Sequence, residues 1–312
     1  MRSLSLVLAT DTYATIRPVL DRWRQQSASQ EIELVLVAPS VDAVSPALKH
    51  RNEFENLQIV EDSMTNLAVA RAAGIRAATA PIVFVGETHS YPQPGFVEAL
   101  LTEFSGPWSS VAPAFENANP KGILSWAAFL SDYGRWVEGS GAGETSETPI
   151  YNAAYRLPVL LQLGDRLAPS LDHGDELWVT LRAGGHRARL APQARLGHVN
   201  VSRPWDWMRE RFLAGLLIGH HRAQRWSPLR RVIYLCGSPL IPFVLTWRIA
   251  PGAWRCVRRK NLPWMTIPTI VAGMTIKAAG EFAGYAGFLG DAQRQMLEYE
   301  VHKLAYAGSD QR

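Results

Sequence analysis

The chain has 312 residues, 47% of them hydrophobic, and its 32 lysines and arginines against 28 carboxylates give a net charge of +4. Such a composition is normal for a globular protein that buries a core, and the length suits one large α/β domain with or without an appendage. Two cysteines, Cys236 and Cys256, exclude a disulfide framework and a C-x-x-C metal motif.

The first residues, MRSLSLVLAT, contain one arginine and a very short apolar run. A secretory signal peptide needs a longer apolar region and a small-residue cleavage site. We therefore expect residues 4–9 to form the first strand and the chain to remain in the cytoplasm.

Strand and helix patterns alternate over the first 85 residues. Short apolar runs predict strands at 4–9, 32–37, 57–60 and 82–85, and helical spacing predicts helices at 15–26 and 66–78. This alternation is typical of an α/β fold with a mostly parallel, Rossmann-like sheet and helices on both faces.

The fourth predicted strand ends at Gly86 and is followed at once by Glu87, Thr88 and His89. Ligands of open α/β sheets bind beyond the carboxyl ends of the strands, so Glu87 and His89 are expected to point into that crevice. A carboxylate and an imidazole two residues apart can share one metal ion. The alternative is an ordinary polar turn after a strand.

Residues 81–101 resemble the strand end that carries the DxD motif in family 2 glycosyltransferases, which have the GT-A fold. In that family an apolar strand runs into an acidic cluster, a P-x-P-G-[FW] turn and a helix; here Glu87-Thr88-His89 replaces the acidic cluster. The resemblance extends over about residues 3–290. It implies a nucleotide-diphosphate-sugar donor anchored through Mg²⁺ or Mn²⁺ by Glu87 and His89.

Other donor-binding residues are implied by the same resemblance. Ala70-Arg71-Ala72-Ala73-Gly74 is similar to the A-R-N-x-G helix whose arginine helps hold the sugar nucleotide, and a guanidinium suits phosphate. The alternative for Arg71 is a solvated helix charge. The family's P-x-Y-N and base-reading acidic pair are absent, but their positions still imply Thr10, Asp11 and Ser40 at the donor.

The acceptor side is expected after a Gly- and Ser-rich segment at 139–147, which predicts a mobile loop. The following segment, IYNAAYR, resembles the N-x-[AS]-Y-R stretch at the acceptor edge of many bacterial relatives. This implies acceptor binding by Asn152 and Arg156. The alternative is a strand whose two tyrosines simply pack.

The catalytic base is implied by the acidic segment LDHGDEL at 171–177, which opens a predicted helix ending at Gly184-Gly185. The family places an acidic residue here, and an inverting transfer needs a carboxylate to take the proton of the acceptor hydroxyl. Asp175 and Glu176 are the candidates, and Asp172 remains possible. Helix capping is the alternative explanation.

A histidine and an arginine motif complete the resemblance. Residues 188–198 predict a strand, a turn and His198, which in many relatives faces the metal or diphosphate, although a lone histidine is more often structural. Arg222-Ala-Gln-Arg225-Trp226 resembles the [QR]-x-x-R-W motif of membrane-embedded members. This implies that Arg222, Arg225 and Trp226 contact the donor.

The C-terminal third has a different pattern. Residues 232–247 and 262–276 are apolar and uncharged, yet each is shorter than the roughly 20 residues that span a bilayer. The basic cluster at 248–260 between them favours an anionic membrane surface, with a buried helical subdomain as the alternative. Because these basic residues flank apolar segments, the pattern disfavours nucleic acid.

Together these patterns predict a GT-A domain over residues 1–200 and a helical, membrane-interfacial region over 201–312. The expected activity is an inverting transfer of a sugar to a hydroxyl acceptor, either a saccharide or a lipid-linked one, by an enzyme peripheral to the inner face of the cell membrane. The alternative is a non-catalytic GT-A protein that binds a sugar nucleotide or a membrane partner.

Overall fold

The computed structural model describes residues 3–172 and 174–308. By internal contacts the chain forms two compact units, the first comprising Met1–Glu116 and Glu138–Gly197, the second Asn117–Val137 and His198–Arg312. The second unit therefore includes a segment from the middle of the chain. The division into domains at residue 200 stays a prediction.

One mixed sheet organises the first unit. Its strands are β1 (Leu4–Ala9), β2 (Ile32–Ala38), β3 (Asn56–Glu61), β4 (Ile82–Val85), β5 (Ser90–Pro92), β6 (Ser110–Asn117), β7 (Gly143–Thr145), β8 (Ala153–Arg156) and β9 (Ala188–His198). The order is β3-β2-β1-β4-β8-β6-β9-β5, with β7 paired to β9. The first four strands are parallel, and β8 is antiparallel to β4 and β6.

The helices of the described residues are α1 (Tyr13–Arg24), α2 (Val41–Val44), α3 (Leu67–Ala77), α4 (Phe96–Glu103), α5 (Ile123–Tyr133), α6 (Leu157–Leu161), α7 (Leu167–Asp172), α8 (Gly174–Ala183), α9 (Pro204–Arg225), α10 (Pro228–Gly237), α11 (Ile241–Arg259), α12 (Thr266–Tyr285), α13 (Ala292–Val301) and α14 (Lys303–Tyr306). The predicted helices of the first 85 residues are confirmed within two residues at each end.

Both faces of the sheet are covered, as the α/β prediction requires. On one face Phe84 of β4 contacts Trp23 of α1 and Phe96 of α4, with ring centroids 5.4 Å apart in each case. On the other face α3 lies closely against β1 and β2. A Cβ built at Gly74 would be only 2.6 Å from Val7 Cγ1. The absence of a side chain at Gly74 thus sets how closely α3 approaches the sheet.

Two details of the sequence-based assignment are corrected by the sheet. Residues 188–198 form one continuous strand rather than a strand and a turn, since β7 and other strands pair along it. The predicted loop at 139–147 contains β7, whose Gly143 lies opposite Leu190. Three-residue strands such as β5 and β7 show no periodicity of their own, so only their partner reveals them.

Glu33 is a charge hidden in an apolar strand. It lies opposite Ser5 in the β1–β2 register and is fully buried. Its carboxylate accepts hydrogen bonds from Ser5 Oγ and, at 2.7 Å each, from Thr79 N and Oγ1. Burial raises the pKa of Glu33, but these hydrogen bonds outweigh it and leave the pKa below its ordinary value. The network ties together β1, β2 and the approach to β4.

We expect Glu33→Gln to lower the free energy of unfolding by about 2–3 kcal/mol at neutral pH, because it removes charge-assisted hydrogen bonds from a buried site. Since the folded-state pKa is depressed, the stabilisation is present above the unfolded-state pKa and is lost as pH falls through the folded-state pKa. Urea unfolding at several pH values should show the difference between wild type and variant shrinking in acid. The exposed Glu31→Gln is the matched control, and a pH-independent difference would contradict the assignment.

The second unit is helical. In it α9 and α12 pack closely, and glycines of both helices lie against the backbone of the partner helix. By length and composition, one helical stretch of the described residues, Pro228–Arg259, qualifies as a candidate membrane span. It consists of α10, a short 3₁₀ turn at Ser238–Leu240 and α11.

Candidate functional site

Three of the predicted donor and metal residues meet at the carboxyl end of β4. Arg71, Glu87 and His89 are all at most 5% exposed. Glu87 Oε2 lies 3.3 Å from His89 Nε2, and Glu87 Oε1 lies 3.7 Å from Arg71 Nη2. The segment after β4 is therefore a buried charged cluster rather than a solvated polar turn, and Arg71 is not a solvated helix charge.

Arg71 projects from α3 and is held by an aromatic ring. Its guanidinium carbon lies 3.6 Å from the ring centroid of Tyr151, whose hydroxyl donates to the carbonyl of Leu171. Burial raises the pKa of Tyr151 to about 12, so the phenol remains neutral. Arg71 Nε has no hydrogen-bond partner among the described residues. The sequence pattern predicted only that Tyr151 packs in a strand, and its contact with the guanidinium of Arg71 was missed.

Asn152 contacts Glu87 directly. Its backbone has a φ of 56°, a left-handed conformation that asparagine tolerates better than most residues. Its amide N–H donates to Val85 O at 2.6 Å, and its side-chain Nδ2 donates to Glu87 Oε2. The structure thus places Asn152 at the predicted metal ligand, whereas the sequence pattern associated it with the acceptor.

The sheet brings His198 to the same place. The strand that follows His89, β5, pairs with β9, and Gln93 N donates to Arg195 O at 3.0 Å. His198 is the last residue of β9. One ligand atom from each of Glu87, His89 and His198 lies within 4.8 Å of the others, and all three residues are buried. Residues separated by more than one hundred positions in the sequence therefore form one group of candidate metal ligands.

Asn200 sets the tautomer of His198. Its Oδ1 can only accept, so the 2.9 Å contact assigns the proton to His198 Nδ1 and makes Nε2 the nitrogen suited to a metal. Asn200 Nδ2 donates to Asn117 Oδ1 at 3.0 Å, which fixes the orientation of the amide. Sequence reasoning missed Asn200. The only signal was its place two residues after a candidate ligand.

We expect Asn200→Ala to weaken Mn²⁺ binding by about 10–100-fold, because an outer partner that orients a ligating histidine contributes that much to metal affinity. Isothermal titration of the full chain with Mn²⁺ measures this. Asn52→Ala, which removes an exposed amide, is the control. Equal affinities for the wild type and Asn200→Ala would contradict a metal-ligand role for His198.

The side chains of Glu87, His89 and His198 fit a divalent metal ion. They offer one carboxylate oxygen and two imidazole nitrogens, and imidazole suits Mn²⁺ and later first-row metals better than Mg²⁺, which prefers oxygen ligands. The buried Glu/His/His cluster can thus hold a metal, and of the two ions expected from the sequence its chemistry favours Mn²⁺.

The three candidate bases occupy α7 and α8. Asp172 is the exposed last residue of α7. Burial raises the pKa of Tyr151, Arg71 lowers it, and the charge of Asp172 raises it by a smaller amount. Glu176 is half-buried in α8. Asp175 lies at the start of α8, with its side chain outside the described part of the chain. Trp178 anchors α8, since its Nε1 donates to Thr148 O at 2.9 Å.

Arg156 does not join the cluster. Its guanidinium donates to the backbone carbonyls of Phe104, Gly106 and Trp108 at 2.8–2.9 Å. Antiparallel pairing places it opposite Ile82, at the start of β4, whereas Glu87 follows the end of that strand. These hydrogen bonds hold the segment between α4 and β6, and an acceptor role for Arg156 stays a prediction.

Thr10 and Asp11 leave the sheet at the edge where Glu87 does, because β1 and β4 are parallel with Val7 opposite Val85. Thr10 is buried, and its Oγ1 donates to Thr12 O at 3.0 Å. Ser40 caps α2 by accepting a hydrogen bond from Ala43 N at 3.3 Å. A donor role for Thr10, Asp11 and Ser40 stays a prediction.

The arginine motif of the second unit is engaged within that unit. Arg222 Nη1 lies 3.4 Å from both Glu281 Oε2 and the hydroxyl of Tyr285. Trp226 stacks on Tyr285 with ring centroids 5.8 Å apart. Arg225 is exposed. A donor role for Arg222, Arg225 and Trp226 stays a prediction.

No protein-family model and no curated protein matches the chain. Among solved structures, mannosyltransferase PcManGT from Pyrobaculum calidifontis, in complex with GDP-Man and Mn²⁺, matches with a TM-score of 0.55 and 16% identity over 93% of this chain and 88% of that chain. TarS 1–349 of S. aureus in complex with UDP matches with a TM-score of 0.49 and 13% identity over 90% of each chain. The predicted GT-A fold is confirmed.

Proposed function

We propose that this chain of GT-A fold is a glycosyltransferase that moves a sugar from a nucleotide-diphosphate-sugar to a hydroxyl acceptor. The observation that carries the proposal is the buried group of candidate metal ligands, Glu87, His89 and His198, which lies beside Arg71 at the carboxyl end of β4. A mannosyltransferase with the same fold was solved with a sugar nucleotide and Mn²⁺, which supports this choice of ligand.

Glu87, His89 and His198 would hold the divalent ion, and of the two expected ions Mn²⁺ suits their imidazoles better than Mg²⁺ does. When bound, such an ion neutralises the negative charge of a diphosphate leaving group. This role replaces the one expected of an acidic DxD cluster. A nitrogen-rich site should therefore show a preference for Mn²⁺ over Mg²⁺.

Arg71 supplies the fixed positive charge for the same leaving group. It is buried, it is stacked on Tyr151, and its Nε carries an N–H with no partner among the described residues. A preorganised guanidinium in a site with little water stabilises developing phosphate charge strongly. Tyr151 keeps the guanidinium plane in position without adding a charge of its own.

A carboxylate of the α7–α8 segment would accept the proton of the acceptor hydroxyl as it attacks the anomeric carbon, which gives inversion. Asp172 directly follows Leu171, whose carbonyl accepts a hydrogen bond from the hydroxyl of Tyr151, the residue beneath Arg71. Asp175 and Glu176 remain candidates from their positions in α8. Family 2 membership and a lipid-linked acceptor at the cytoplasmic face of the membrane belong to the same proposal.

The test is thermal unfolding of the full chain with a panel of UDP- and GDP-sugars, with Mn²⁺, with Mg²⁺ and with EDTA. A donor at about 100 times its dissociation constant should raise the free energy of unfolding by about 2.7 kcal/mol. We expect such a shift for one donor class with Mn²⁺, a smaller one with Mg²⁺ and none with EDTA. No shift with any donor, in folded protein, would refute the proposal.

Turnover separates the enzyme from a non-catalytic binder of the same fold. With the stabilising donor, hydrolysis or transfer to simple saccharides is compared for wild type, Asp172→Asn, Asp175→Asn and Glu176→Gln. The variant that keeps the thermal shift but loses turnover by about 10²–10⁴-fold identifies the base. A metal-dependent shift without turnover in wild type, across saccharide and lipid-linked acceptors, would favour the non-catalytic alternative.

A further inference from the structure

The modest net charge conceals a strong asymmetry along the chain. Residues 211–280 contain nine arginines and two lysines but no aspartate or glutamate. The chain as a whole has 32 basic and 28 acidic residues, so the rest of it has 21 basic and 28 acidic ones. A positively charged segment of 70 residues is therefore attached to a chain that is otherwise acidic.

Within this segment α11 presents a large apolar face to solvent. Phe243, Trp247 and Trp254 are 72%, 78% and 55% exposed, and their spacing of four and seven residues places them on one side of the helix. Ile249, Ala253 and Cys256 on the opposite side are buried. The helix is thus packed in its unit along one side, and no other part of the chain that the structure describes covers the opposite side.

Large apolar side chains are also exposed just before and just after α11 along the chain. Leu229 and Ile233 of α10 are 72% and 58% exposed, and Trp264, just after α11, is 76% exposed. Several large apolar side chains exposed within one stretch of a globular protein indicate an interaction surface. Arg248, Arg255 and Arg258 are also exposed on α11 and lie beside the apolar face.

The charge and the side chains of this surface indicate the kind of partner that it binds. A second copy of this chain would bring two surfaces of the same positive sign together, which is unfavourable. A spanning segment is also disfavoured, because the 3₁₀ turn at Ser238–Leu240 interrupts the stretch and α11 carries four arginines from Arg248 onward. Tryptophans next to arginines are instead the usual anchors of a helix that lies in the headgroup region.

We infer that the α10–α11 surface binds an anionic lipid bilayer, with α11 parallel to the membrane plane, its Phe243–Trp247–Trp254 face among the headgroups and its arginines against lipid phosphates. Membrane binding is measured without sugar transfer, so its failure and the failure of the proposed function are distinguishable. It places the chain peripherally on the leaflet that carries anionic lipid, which in cells is the cytoplasmic one.

The experiment is flotation of the full chain with vesicles of phosphatidylcholine alone and of phosphatidylcholine with phosphatidylglycerol. We expect binding to the anionic vesicles, release by high salt, and weak binding to the neutral ones. Arg255→Gln combined with Arg258→Gln should lower the partition coefficient roughly 25-fold, since each basic residue near an anionic surface contributes about fivefold.

The apolar face is tested separately by Phe243→Ser combined with Trp247→Ser, which should abolish flotation. Trp205→Ser is the matched control, because Trp205 is 70% exposed but lies outside the α10–α11 surface. Unchanged thermal unfolding shows that each variant folds, as expected for exposed positions. Equal binding to neutral vesicles, loss of binding only in the control, or a salt-resistant self-association abolished by Trp247→Ser would overturn the inference.

Discussion

Replacing Glu87 by alanine is expected to lower kcat/KM for the proposed sugar transfer on the order of 10³-fold, because one substitution removes both a proposed metal ligand and the counterion of Arg71. One carboxylate oxygen of Glu87, Oε1, lies 3.7 Å from Arg71 Nη2, and the other, Oε2, lies 3.3 Å from His89 Nε2. Steady-state transfer with the donor identified by thermal unfolding, across a range of Mn²⁺ concentrations, measures the loss.

Stability must be measured beside activity, because Arg71 is buried and loses its partner. Breaking a buried ion pair from one side costs about 3–5 kcal/mol. Glu87→Gln keeps the shape and the contact with Asn152 while removing the charge, so it separates metal binding from packing. Glu103→Ala is the control, since Glu103 pairs with Arg189 instead. Full activity of a folded Glu87→Gln would exclude Glu87 as a metal ligand.

The sequence allows the parallel half of the sheet to be predicted closely. The strand at 82–85 has the predicted bounds, and Asn66 caps α3 by accepting from Ala68 N at 2.8 Å. These features are local: an apolar run, a turn residue and a capping side chain each act within a few residues. Glu87 and His89 were predictable for the same reason, whereas Arg71 was a candidate only by resemblance to the A-R-N-x-G helix.

The remainder of the site depends on pairing between distant segments. His198 was a candidate only by resemblance, and its approach to Glu87 requires β5 to pair with β9. The position of Arg156 opposite the start of β4 was not predictable, because the N-x-[AS]-Y-R pattern does not show that β8 runs antiparallel to β4. Strand direction and register are set by tertiary packing, so a pattern within one segment cannot assign the end of the sheet at which a side chain lies.

In the second unit, Gly280→Ala is expected to lower the free energy of unfolding by about 2–3 kcal/mol or more. A Cβ at Gly280 would lie 2.1 Å from Phe212 O of α9, and one at Gly219 would lie 2.2 Å from Glu281 O of α12. Both obstacles are backbone atoms, which cannot rotate away as a side chain could. The helices would have to separate, so the contacts along their whole interface would weaken.

This close approach also explains the G-E-x-x-G-Y sequence of α12. Gly280 and Gly284 let α9 come near, which leaves Glu281 buried and in reach of Arg222 and Tyr285. A substitution that separates α9 from α12 should therefore disturb the Arg222 ion pair as well as the packing. Glycine is needed here for the absence of a side chain, since the helix itself would be more stable with alanine.

The matched control is Gly237→Ala, because no atom lies within 4 Å of a Cβ built at that position of α10. There the substitution should be neutral or stabilising by roughly 0.5–1 kcal/mol, the ordinary helical preference for alanine. Thermal unfolding of the full chain compares the two, with hydrogen exchange reporting whether α9 and α12 lose protection together. If Gly280→Ala behaved like Gly237→Ala, the tight packing of α9 against α12 would be refuted.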